Sequence, residues 1–368
     1  MNSSSTMALH QTTFSNIKGW NNDDHAAALA TFKRSYDEMR KTAHGFKREA
    51  LCGGTLQDWL AIPETAFDTK YPRPFFETYF TPCEVRDPVR PEGLFTGYYE
   101  PEAKGSLTRS NEYQVPIYRK PRELVALDAE SQKTTGLAYG VVTNGKAEAF
   151  FTREQIEKGA IANRELEIVW LKSWVDAFFI HIQGSGRIVL EDGQIIRLAY
   201  SGKNGQTYTG IGSVLLKRGV ATPETMSMQV LREWMASHPD EARALMWNNN
   251  SFIFFRDIHV PDQGLGALGA QQVHLTPLRS LAVDRSIWMY GTPIWLDTAT
   301  PRESPNGSAP FRHLMVAQDT GTAIRGYVRG DVYWGWGDDA ALIAGNMKSS
   351  GRIVALLPNA LAQRLVQK

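Results

Sequence analysis

Cysteine is scarce: Cys52 and Cys83 are the only two in 368 residues. They fit no zinc or CxxC redox pattern. One disulfide closing a loop of about thirty residues, worth about 3 kcal/mol in the chain-entropy picture, and two buried thiols both remain open. No apolar run reaches the roughly 18 residues a membrane span requires. The start, MNSSSTMALHQTTFS, lacks the charged and apolar regions of a signal peptide and carries no lipidation cysteine. Residues 1–15 therefore read as a flexible leader. No charge of one sign dominates. The net charge is +1, which gives no drive toward nucleic acid or an anionic membrane surface. The eight histidines are scattered with no H-E-x-x-H, so no metal is expected, and no cofactor either. Gln183-Gly184-Ser185-Gly186 is not a G-x-S-x-G elbow, because Gln183 takes the first glycine's place. Gly264 to Gly269, GLGALG, has dinucleotide-like spacing. The following AQQVHLTPLRS holds Pro277 and offers no amphipathic helix for a pyrophosphate, so a Gly-rich surface loop is expected.

What is present is a globular composition, 42% hydrophobic and 21% charged, long enough for roughly two domains of about 150 residues. Ten Trp and thirteen Tyr suit either a carbohydrate groove or an aromatic core. The spacing predicts a helix over about 23–48, with Asp23 or Asp24 as cap. Two further helices are expected near 55–62 and 72–80, all three as scaffold. GLFTGYYEP (93–101) reads as a strand that sends Tyr98 and Tyr99 to opposite faces. From Glu112 to Tyr208 short strand-like pieces, FFIHIQGSGRIVL among them, suggest an all-β module. A helical pair follows, the second helix capped by Thr222 with Pro223 at its first position. Then comes the strand SFIFFRDIHV. In the C-terminal part three aspartates, Asp284, Asp319 and Asp331, stand at strand boundaries beside glycine or aromatic residues. A short helix, DDAALIAGNM, is expected to take its cap from Asp338 or Asp339. An acid in aromatic surroundings suits glycan cleavage: sugars stack on rings, and burial keeps a carboxyl protonated near neutral pH.

Several stretches resemble the family of membrane-bound lytic murein transglycosylase A. They are TGYYEP (96–101), QVPIYRKP (114–121), HIQGSGRIVL (181–190), AYSGKNGQTYTGIG (199–212), LTPLRSLAVDRS (275–286), MVAQDTGTAIRG and RGDVYWGWG (within 315–337). The resemblance implies a mainly β protein with helices. A double-psi β-barrel domain would be formed by both chain ends, 16–106 and 256–368, with a three-aspartate (3D) domain at about 270–358. A second β domain, 107–255, would be inserted in the barrel, with a glycan groove between them. It further implies non-hydrolytic exolytic cleavage of the β-1,4 bond between N-acetylmuramic acid and N-acetylglucosamine, leaving a 1,6-anhydro end. One carboxyl suffices when the substrate's own 6-hydroxyl is the nucleophile. On the family's pattern that acid maps to Asp331, supported by Asp319 and Asp284. Groove residues would be Tyr98, Tyr99, Gln183, Ser185, Gly186, Asn204 and Tyr208; Trp334 is added for its place beside Asp331. The expected partners are peptidoglycan strands and other cell-wall enzymes, with no nucleic acid, for a monomer in the periplasm at the outer membrane. Here Thr322 stands where the family often has glycine and Arg325 where it has lysine. No lipobox is present, so an exported protein whose signal is missing from this sequence is expected. Two other readings compete: a non-catalytic glycan-binding barrel like the expansins, and a β-1,4-glucanase giving reducing ends.

Overall fold

The computed structural model describes residues 8–87, 92–222, 225–260, 262–302, 304, 307–321 and 323–366. The chain divides into two compact units: Met1–Tyr99 with Gln263–Lys368, and Glu100–Asp262. The Thr322 substitution and the Pro223 helix start lie outside the described residues.

The first unit is built on one eight-stranded sheet. Its strand order is Ala8–Gln11, Phe80–Arg86, Lys348–Pro358, Pro293–Ala299, Pro310–Asp319, Ser280–Val283, Arg329–Trp336 and Gly93–Glu100. Lys348–Pro358 also pairs through its first residues with Gly93–Glu100, so the sheet returns on itself. Residues 8–11, expected in a flexible leader, instead extend this sheet by pairing with Phe80–Arg86. Fully apolar stretches such as Ile294–Leu296 and Leu314–Ala317 are buried, as strands covered on both faces require.

The helix His25–Thr42 covers the sheet with Ala28, Phe32, Tyr36 and Met39, which recur at spacings of three and four. Asp24 is its cap, accepting from the Ala27 N–H at 3.0 Å. Asp23 does something else. Its carboxylate is buried and takes Arg279 through two nitrogens at 2.7 and 2.9 Å, with His313 Nδ1 and the Leu314 N–H at 2.8 and 2.9 Å. It ties the helix start to the middle of the sheet. Cys52 and Cys83 are both free and buried in this core.

The second unit carries a six-stranded sheet, a three-stranded sheet and several helices. It is not all-β. The run expected as a strand, FFIHIQ, belongs to the helix Trp174–Gln183. Ser173 caps that helix by accepting from Val175 and Asp176, and Gly184 at φ 74 ends it. An apolar run of that length fits either element, and the paired caps decide it. The strand of this stretch is shorter, Ser185–Val189. The later helix spans Met228–Ser237 and is capped by Ser227 rather than Thr222. The helix Gly337–Asn346 has no side-chain cap; Asp338 and Asp339 lie in its first turn, where they favour its dipole. Among the described residues no helix is long and apolar enough to cross a membrane.

Candidate active site

Two of the three aspartates are brought to one face by register. Ala282 in Ser280–Val283 is opposite Asp331 on one side and Asp319 on the other. Partners at matched positions point to the same face, so the two carboxyls stand two interstrand steps apart, roughly 10 Å at the backbone. A bulge makes this possible. The register shifts between Leu281 and Ala282, leaving Gln318 without a ladder partner and moving Asp319 into line. Gln318 is fully buried and holds the bulge in place. It accepts from the Ser280 hydroxyl at 2.6 Å and donates to Thr31 O and Ser35 Oγ of the N-terminal helix at 3.1 and 2.8 Å. A helix expected only as scaffold thus aims a carboxyl.

The neighbouring strand Gly93–Glu100 supplies partners at every second residue. Thr96 donates to Asp331 Oδ1 at 2.6 Å, and Tyr98 donates to Asp319 Oδ2 at 3.0 Å. Arg329 in turn donates to the Thr96 hydroxyl at 2.8 Å, polarising it toward Asp331. Gly97 between them must be glycine: a Cβ there would lie 2.7 Å from the Trp334 indole.

The two carboxyls differ in how they are held. Asp319 Oδ1 accepts from the Ala270 and Thr320 N–H groups at 3.0 and 2.9 Å, so both its oxygens are engaged by donors. Asp331 has only Thr96, and among the described residues no donor reaches its Oδ2. Both are recessed but retain exposed surface. Burial raises both acids. It lifts Asp319 from 3.8 to about 6 against the pull of its three donors, with the Asp331 charge adding to the rise. It also raises Asp331, opposed by the Thr96 hydrogen bond and the Arg329 charge. The raised value at Asp319 does not by itself make it the proton carrier, since both its oxygens are already engaged by the Ala270, Thr320 and Tyr98 donors. Asp331 is the carboxyl with an oxygen to offer.

Asp284 is held differently from both. Its Oδ1 accepts from the Ser286 N–H and hydroxyl at 3.0 and 2.7 Å and from Arg325 at 3.2 Å, and its Oδ2 from the Gly326 N–H at 3.0 Å. Burial pushes this carboxyl up, but the Ser286 and Gly326 hydrogen bonds outweigh it and hold it below its ordinary value. It clasps the crossover before Arg329, and Arg325 keeps the charge that clasp uses.

Three expected groove residues have other places. Trp334 lies on the face opposite Asp331, packed on Phe311 at 5.2 Å with its indole N–H toward Met347 Sδ at 3.3 Å. The ring on the aspartate face is Tyr333, tilted against Tyr98 at 5.2 Å. Tyr99 is buried. Asn204 is also fully buried, and its amide is spent on Phe151 O, Asn250 O and the Phe252 N–H, all within 2.9 Å. In the second unit Gln183 and Ser185 are half-buried at the helix-to-strand corner, Gly186 is buried in the strand, and Tyr208 is 60% exposed. Thr96, Arg329, Tyr333 and Ala270 escaped the sequence reading, although period-two parity with Tyr98 and Asp331 marks three of them. The GLGALG segment is a loop: Gly266 backs onto the Tyr333 hydroxyl, and no helix follows it.

The chain matches the family descriptions "MltA specific insert domain" over residues 94–256 and "3D domain" over 279–357. The membrane-bound lytic murein transglycosylase A of Escherichia coli (strain K12) is 35% identical over 266 residues, 71% of this chain and 65% of that protein. The Vibrio cholerae protein of the same name is 31% identical over 266 residues, 71% and 64% of the two chains. The match thus spans just under two thirds of the length of these curated relatives. Among solved structures, a membrane-bound lytic murein transglycosylase from Agrobacterium tumefaciens superposes with TM-score 0.83 at 34% identity, covering 97% of this chain and 99% of that one. The E. coli MltA structure with bound chitohexaose gives TM-score 0.67 at 27% identity, over 96% and 94% of the two chains.

Proposed function

The chain belongs to the family of membrane-bound lytic murein transglycosylase A, and from that premise we propose that it is a peptidoglycan lytic exotransglycosylase. It cleaves the β-1,4 bond between N-acetylmuramic acid and N-acetylglucosamine without water and turns over cell wall in the periplasm at the outer membrane. Asp331 is the one acid. Its proton passes to the glycosidic oxygen as that bond breaks. Its carboxylate then takes the proton of the muramyl 6-hydroxyl as this oxygen bonds to the anomeric carbon. The ring-closed 1,6-anhydro end results, with protons and bonds balanced and no second carboxylate required.

The single observation behind this reading is the contrast at the paired aspartates. Asp331 has a raised pKa, a polarised hydroxyl on one oxygen and, among the described residues, no donor on the other. Asp319 is its supporting carboxyl on the same face, and Asp284 supports it by holding the loop. Gln183, Ser185 and Tyr208 are the glycan contacts we retain from the second unit; the chitohexaose bound by the E. coli relative supports a glycan ligand. We also propose that the larger sheet is a double-psi β-barrel. Its support is that Lys348–Pro358 pairs with both Pro293–Ala299 and Gly93–Glu100. The test is mass spectrometry of fragments released from purified peptidoglycan by wild type and by Asp331→Asn. Anhydro-muropeptides from wild type alone are expected. Anhydro products from both would move the acid to Asp319, and reducing ends would make the enzyme a hydrolase.

A further inference from the structure

A cavity of about 770 Å³ in the first unit shares no lining residue with the Asp331 site. That volume is within the roughly 300–1,000 Å³ of small-ligand pockets. Its lining is mixed: Ile17, Val85, Val328 and Ile353 stand around the buried Trp295, and polar or charged side chains make up most of the rest. Lys18 and Arg352 stand at its edge, both exposed. Neither makes an ion pair among the described residues, and the carboxylates lining this cavity have other partners. Asp297 is opposite Arg352 in the strand ladder, yet its carboxylate is held by Arg312 at 2.7 Å. Glu84 pairs with Arg86 at 3.3 Å, and Asp87 has an interaction of its own. The adjoining depression, which also uses Lys18 and Arg352, adds one exposed acid, Glu92.

The residue types select the ligand. A sugar would need an exposed ring face, and Trp295 is only 2% exposed. A phosphate-rich ligand would be opposed by Glu92. Two uncommitted cations, one carboxylate and a few aliphatic side chains suit a short peptide with a free carboxylate, a free amine and methyl-sized side chains. We propose that this cavity is a second binding site, taking the stem peptide of peptidoglycan rather than its glycan. The stem carboxylate meets Lys18 and Arg352, its amine meets Glu92, and its alanine methyls cover the aliphatic side chains. The naming of the stem peptide rests on the function proposed above; the peptide chemistry of the site does not.

The test is calorimetric titration of the full chain with soluble L-Ala-γ-D-Glu-meso-diaminopimelyl-D-Ala, with chitohexaose as the sugar control. Saturable binding is expected, weakened about tenfold or more in the double variant Lys18→Ala, Arg352→Ala, since charge-assisted hydrogen bonds are lost. Chitohexaose binding should not change. In turnover, the same variant should raise KM on peptide-bearing peptidoglycan and leave cleavage of peptide-stripped glycan strands at the wild-type rate. No peptide binding by wild type, or equal binding by the variant, overturns the site. Wild type that binds peptide but cleaves neither glycan overturns the proposed function and leaves the peptide site standing.

Discussion

Four buried or recessed aspartates in the first unit fall into two regions that treat the same side chain in opposite ways. At Asp23 and Asp284 every oxygen is met by cations or N–H groups. Burial pushes both carboxyls up, but their hydrogen bonds win and the pKa values end below the ordinary one. At Asp319 and Asp331 fewer cations are in reach, burial wins, and both values end above it. The first pair holds structure together as permanent anions. The second pair stores an unfavourable charge, and such a charge can be relieved by taking a proton. Depth alone does not separate the two regions; a directly bonded arginine, Arg279 at Asp23 and Arg325 at Asp284, does.

The sharpest break of this comparison is Asp331→Asn. Losing a general acid typically removes a factor of about 10²–10⁴ in turnover, so anhydro-muropeptide release should fall by that range. Unfolding in denaturant should show no loss of stability, because the carboxylate it removes was unfavourable. An unfolded or strongly destabilised variant would place Asp331 in the structural region instead. The reverse holds for Asp23→Ala. Removing one partner from a buried ion pair leaves Arg279 uncompensated, at a cost of about 3–5 kcal/mol. The drop should appear as a lower denaturant midpoint. If stability were unchanged, the contrast between the regions would fail on its structural side.

Much of the face that carries Asp319 and Asp331 was legible because motif and parity agree. TGYYEP was legible as a strand and RGDVYWGWG as an aromatic run behind Asp331; the folded sheet sets the two side by side, and alternate residues 96, 98, 331 and 333 define the face they share. The same parity shows why Trp334 is not beside the acid: one residue along a strand reverses the side chain. Two features were not legible. The bulge at Gln318 depends on register, which only the folded sheet sets, and on a glutamine seated under a distant helix. The helix Trp174–Gln183 was hidden in a nearly continuous apolar run, where periodicity does not separate helix from strand. Asp23 looked like a capping residue because it adjoins the true cap, Asp24.

Within the proton-storing region, Asp319→Asn sharpens the comparison by sign. The native carboxyl binds its proton more tightly than the unfolded one, about 6 against 3.8. Between those values the folded state holds more protons, so stability falls as pH rises through the window and stays lower above it. The asparagine variant escapes this loss. It should be more stable than wild type at pH 7–8, by roughly 1–3 kcal/mol given 1.36 kcal/mol per pKa unit and partial solvent access. The two proteins should converge below about pH 4, where the wild-type carboxyl is protonated in both states. Equal stability at neutral pH would mean that the donors on Asp319, not its burial, set its charge.

The smallest effect is expected at Asp284→Asn, the member of the anchoring region with a half-exposed cation. The amide keeps the shape and the Ser286 contacts in part, but loses the charge that Arg325 and the Gly326 N–H meet. About 1 kcal/mol is the expected cost, as Arg325 is largely solvated. Here the folded pKa is depressed, so the wild-type advantage is present above the unfolded value of 3.8 and is lost as pH falls through the folded one. Denaturant midpoints of the two proteins should therefore differ at pH 7 and merge once the pH falls below the depressed folded-state value. That slope is opposite to the one expected for Asp319→Asn, whose gain appears only at high pH. Parallel slopes for the two variants would show that the clasp and the proton-storing pair are one electrostatic unit rather than two.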